Sequence, residues 1–141
     1  MQAAGGVGII PFELAGPERS PEILRRWGAE GCRAATASLL LDFPFLAAYT
    51  TLNVRITRRA RNVQSSHGVL RRLGPAVAAI QIAAGACDAV ENAALLGVVA
   101  RGGEARLASI ARVVAKAKFA GPLVGYLYGV AAIGSWRHMR L

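Results

Sequence analysis

A chain of 141 residues has room for one domain, yet 54% of this one is hydrophobic and only 18% charged, with a mean hydropathy of +0.38. That is more apolar side chain than a soluble core of this size requires. The formal charge of +9 would suit nucleic acid, but no aromatic residue is interleaved with the clustered arginines, which argues against that partner.

In chain order, MQAAGGVGII lacks the basic start of a secretory signal and its apolar run is too short for one. Residues 1–16 are glycine-rich and are expected to be irregular. Ser20, Pro21 and Glu22 then read as a helix start: a capping hydroxyl, a proline at the first helical position and an early acid. ILRRWGAEGCR follows, and its mixture of Trp27 with charges of both signs predicts an interfacial helix holding Trp27 and the arginines near headgroup level. An ordinary solvated helix carries the same pattern.

Three windows, about 34–54, 75–100 and 117–136, match the roughly 20 apolar residues needed to cross a hydrocarbon layer of about 30 Å. Each is rich in Ala, Gly and Leu, a mixture suited to close helix packing in lipid. A soluble all-α bundle would show polar stripes at helical period, and 75–100 has almost none beyond Gln81, Asp88, Glu91 and Asn92. The expected fold is therefore all-α: a polytopic membrane protein with three transmembrane helices in 34–141, preceded by an irregular segment and interfacial helix in 1–33.

The connection 55–74 carries Arg55, Arg58, Arg59, Arg61, Arg71 and Arg72 with no acid among them, and its SSHG stretch is a turn signal in which His67 is expected to be exposed. With Arg137 and Arg140, that cluster places the loop and the C-terminus in the cytoplasm of a multi-pass protein of the inner (plasma) membrane. The same arginines suit contact with anionic headgroups. RGGEAR at 101–106 is a glycine-punctuated connection, and the amphipathic LASIARVVAKAK is expected to extend the third span outward as one long helix. Cys32 and Cys87 have no CxxC partner, and a disulfide between them is not expected because Cys87 falls inside the second span.

Inside the spans the polar residues are few and patterned. Asp88, Glu91 and Asn92 are three and four residues apart and share one helix face, continued by Gln81 and Gly85. Ser38, Asp42 and Tyr49 form a comparable stripe on the first span, where Pro44 leaves the carbonyl of Leu40 without its usual amide. Gly121, Gly125 and Gly129 form a small-residue groove for helix packing on the third span, with Lys118 one turn before it. Counting along alternating spans puts Asp42 about 12 Å and Glu91 about 14 Å from the same membrane face. Lys118 enters from that face too, so Asp42, Asp88, Glu91, Asn92 and Lys118 are expected to form one intramembrane cluster. Three acids and one lysine do not balance, which implies a protonated carboxyl or a further cation, Lys116 or Arg112, reaching in.

Two uses of the cluster compete. In one it orders the helices by hydrogen bonding, in a structural or partner-binding membrane component. In the other it handles protons or cations in a small transporter-like protein. No intramembrane histidine and no established metal spacing accompany the acids, so neither a metal nor any other cofactor is expected. Nothing pairs a nucleophile with a base, so an enzyme is not expected either. The partners expected are the lipid bilayer and a second copy or another membrane protein.

PFELAG at 11–16, LDFPFLAAY at 41–49, CDAVENAALL at 87–96 and KF at 118–119, taken in order, resemble a group of uncharacterised small bacterial multi-helix membrane proteins. The likeness covers most of the chain from Gly8 onward. The polar positions that match are Glu13, Asp42, Asp88, Glu91, Asn92 and Lys118, and the resemblance carries no assigned activity. Members of that group usually have four spans, the extra one ahead of the segment matching FELAG. This sequence begins just before that point, so whether Met1 is the true start stays open.

Overall fold

The computed structural model describes residues 8–64, 68–118 and 120–138. Among them every regular element is an α-helix: α1 (Ile9–Glu13), α2 (Gly16–Asn62), α3 (Val69–Ala100), α4 (Ala105–Lys118) and α5 (Ala120–His138). His67 and all of the expected SSHG turn but Gly68 fall on 65–67, and Phe119 and Arg140 also lie outside the described residues.

Several expected boundaries move. The glycine-rich leader contains a helical turn, α1, because IIPFE supplies two core side chains, Ile9 and Phe12, that gain by burial. α2 begins at Gly16-Pro17 instead of at Ser20. Proline suits a first helical turn, and the Ser20 hydroxyl bonds back to the Gly16 carbonyl at 2.6 Å. The segment of α2 before Gly28 is a helix of its own, set off from the rest by a kink. α2 is broken once, at Gly28 (φ 61°, ψ −168°), a backbone conformation essentially restricted to glycine.

The arginine-rich loop expected over 55–74 shrinks to the stretch between Asn62 and Val69. Arginine is a good helix former, so Arg55, Arg58, Arg59 and Arg61 continue α2 past its apolar window, and Arg71 and Arg72 lie in α3. Pro75, expected as the first residue of its helix, sits inside α3, where it removes only the amide that would have met the Arg71 carbonyl. The connection 101–104 is the expected one, with Gly102 and Gly103 at positive φ. Where α4 meets α5 is residue 119, so the one-long-helix expectation lies outside the described residues.

The chain forms two compact units, Met1–Phe45 with Cys87–Ala117, and Leu46–Ala86 with Lys118–Leu141. In the first, α1, the start of α2, the end of α3 and α4 enclose Phe12, Leu24, Trp27, Leu39, Leu95 and Val98. Trp27, expected at headgroup level, is instead a core residue at 3% exposure, its ring centroid 4.8 Å from that of Phe12. α4 packs through Ala108 and Ala111, small enough for close approach, and at Gly97 of α3 an added Cβ would fall 2.5 Å from Leu107.

In the second unit the end of α2, the start of α3 and α5 pack together. Tyr128 on α5 donates to the Leu70 carbonyl at 2.9 Å, and the Gln64 amide donates to the Ala132 carbonyl at 3.1 Å.

Candidate functional site

The polar face of α3 lies in the first unit. Helical spacing carries Asp88, Glu91 and Asn92 to one side of the helix, and all three are enclosed, Glu91 completely at 0% exposure. Leu95 and Val98 continue the same face one and two turns later, so the polar residues adjoin the best-buried part of the core. Asp42 stands half-buried on α2, and the Asn92 side-chain amide donates to its Oδ2 at 2.7 Å. That bond joins α2 to α3. In surroundings of low polarity it is stronger than the same bond in water, and losing one partner is correspondingly costly.

Asp42 and Asn92 are bonded, and Asp88 and Glu91 share the buried face with Asn92. Lys118 is the half-buried last residue of α4. Arg112, expected to reach toward the acids, is engaged elsewhere: its guanidinium lies 3.4 Å from the Glu18 carboxylate, with both side chains largely exposed. A solvated pair of this kind holds the α4 arginine outward without contributing much stability. The Lys116 side chain lies outside the described residues. Cys32 and Cys87 are both free thiols, half-buried. Among the described residues no three of His, Cys, Asp and Glu are grouped to hold a metal ion.

The second unit has a polar contact of its own. Thr57, 2% exposed, donates its hydroxyl to Gln81 Oε1 at 3.1 Å, joining α2 to α3. Thr57 and Gln64 were hidden from sequence reasoning by the arginines around them. Their signal was spacing: Asn53, Thr57, Ala60 and Gln64 recur at four, three and four residues, so the helix face continues through the basic stretch.

The three packing glycines divide. At Gly121 an added Cβ would overlap the Ala84 methyl, and at Gly125 the Gln81 amide nitrogen, so both are contact glycines between α5 and α3. Gly129 is not, because nothing lies within 4 Å of a Cβ built there. The four-residue repeat outruns the glycine contact, and beyond it α5 is held by Tyr128 and Ala132.

Comparison of the chain with protein-family models, curated proteins and solved structures finds no match.

Proposed function

We propose that the protein is a small integral membrane protein acting as a structural or partner-binding component, whose buried polar residues tie its helices together. The observation that carries this reading is the arrangement of side chains. Leu41, Phe45, Leu52, Leu123, Tyr126 and Ile133 are all more than half exposed, while Gln81, Asp88, Glu91 and Asn92 are buried. Water would favour the reverse, and hydrocarbon favours this arrangement.

α2 and α3 are long and apolar enough to cross a membrane, and only 17% and 39% of their apolar windows are buried inside the protein. The core helix of a soluble domain is mostly covered. α5 is the third span in this reading; its 19 residues extend about 28 Å. The resemblance of the ordered motifs to an uncharacterised bacterial group is in keeping with the same reading. The arginines at the ends of α2 and α3 support a cytoplasmic C-terminus in the inner membrane.

The test is extraction, followed by flux. The tagged full chain should stay in the membrane pellet through alkaline carbonate and leave it only with detergent. A monodisperse protein in detergent-free buffer would overturn the membrane reading. In reconstituted vesicles the wild type should carry no proton or cation current. A reproducible current lost in a well-folded Glu91→Gln variant would replace the structural role with transport.

A further inference from the structure

A cleft of about 440 Å³ opens in the second unit, lined by residues of α2, α3 and α5. Its volume lies in the range of sites that hold small molecules, roughly 300–1,000 Å³. Its inner part is polar and its outer part is not. Asn53 and Thr57 stand one turn apart on α2, and Gln81 faces them from α3, while Tyr126, Val130 and Ile133 of α5 form the wall at 71%, 52% and 64% exposure. No charged residue lines it.

Gln81 gives the cleft its chemistry. The residue is 5% exposed, and its Oε1 is satisfied by the Thr57 hydroxyl. Its Nε2 lies against Gly125, where only the absence of a Cβ leaves it room, and this amino group meets no acceptor among the described residues. The Asn53 amide, half-buried at the same cleft, likewise takes part in no hydrogen bond among them. In a cleft that opens to lipid an amide N–H without an acceptor is costly, so this arrangement favours any occupant that brings one. Gly129 keeps the space open, since an added Cβ there would meet nothing within 4 Å.

We propose that this cleft binds a neutral, largely apolar molecule whose carbonyl oxygen accepts from Gln81 Nε2 and whose tail lies along Tyr126, Val130 and Ile133. The absence of charge selects against ionised headgroups, and the exposed wall gives lateral entry from a surrounding lipid phase. The inference rests on the membrane reading, because in water the same polar groups would be served by solvent. Two sources share this chemistry, the ring carbonyl of a prenylated quinone and the ester carbonyl of a diacylglycerol.

The experiment uses the full chain in zwitterionic phospholipid vesicles. Photoreactive diazirine analogues of a prenylated benzoquinone and of a diacylglycerol are crosslinked separately, each with and without excess unlabelled parent, and the labelled peptides are mapped. One analogue or both should label the Tyr126–Ile133 stretch in a way the parent suppresses. Labelling by the quinone alone, or by the diacylglycerol alone, names the source, and either supports the site. Gly129→Leu, which fills empty space, and Gln81→Met, which keeps the bulk and removes the amide, should each lower labelling on the order of tenfold with helicity retained. Wild-type labelling that the parent does not suppress, or suppressible labelling unchanged in a folded Gly129→Leu variant, overturns the proposal. Carbonate extraction of the same vesicles separates that outcome from failure of the membrane reading, since a protein that stays embedded but shows no specific labelling refutes the cleft alone.

Discussion

Breaking the bond between Asn92 and Asp42 should destabilise the first unit by an amount that a double-mutant cycle can isolate. Asn92 is 2% exposed, its amide donates to Asp42 Oδ2 at 2.7 Å, and Asp42 is half-buried. Hydrogen bonds to charged groups contribute about 1.5–3 kcal/mol, whereas bonds between membrane helices average about 0.6 and reach about 1.7 kcal/mol. The short distance and the enclosed donor favour the upper part of the membrane range, so the expected coupling is about 1–1.5 kcal/mol. Asn92→Ala should cost about 2 kcal/mol, since it leaves a small void and a carboxylate without its donor. Asp42→Ala should cost a comparable amount, because it leaves the buried Asn92 amide without its acceptor. The double variant should then fall short of the sum by the coupling term. The measurement is unfolding of the purified protein in mixed micelles by denaturing detergent, followed by far-ultraviolet circular dichroism, with Asp42→Asn as the variant that retains a weaker neutral bond. Additivity of the two alanine substitutions to within about 0.3 kcal/mol would refute the bond as a link between α2 and α3.

At Gly28, substitution by alanine should cost about 1–3 kcal/mol, because nothing crowds the added methyl within 4 Å and the backbone conformation alone resists it; an unchanged thermal midpoint would mean that α2 straightens there at no cost. Gly121→Leu should lower the thermal stability of the detergent-solubilised protein and Gly129→Leu should not, a contrast that disappears if the α5 glycines face lipid throughout. Leu95→Ala, at a core position 1% exposed, should cost about 2–5 kcal/mol in the same assay, and a loss below about 1 kcal/mol would place that side chain outside the packed core. A reporter fused after Leu141 should read cytoplasmic, and labelling of a cysteine introduced at Ser65 should need a membrane-permeant reagent; ready labelling from outside reverses the orientation.

Helicity and the grouping of polar residues were legible because both depend on short-range geometry. The 3.6-residue period places Asp88, Glu91 and Asn92 on one face whatever the rest of the chain does, and all three are buried as that face implies. The apolar windows in α2 and α3 were legible for a similar reason, since span length and composition are additive along the sequence. Boundaries were less so. Apolar content marks where a bilayer would end, not where a helix does, and the arginines of α2 continue the helix beyond that limit.

What no local pattern contains is the choice among equivalent partners. Trp27 carries the same residues around it whether it meets headgroups or Phe12, and it turns inward because α1 supplies a ring 4.8 Å away. Gly125 and Gly129 are indistinguishable in a four-residue repeat, yet one presses on Gln81 and the other opens onto a cleft. Arg112 stands within two turns of Lys118 and pairs with Glu18, ninety-four residues away. Period and composition belong to each helix separately. The partner that a given face meets follows from where the neighbouring helices end and how their side chains fill the space between, which the folded arrangement alone specifies.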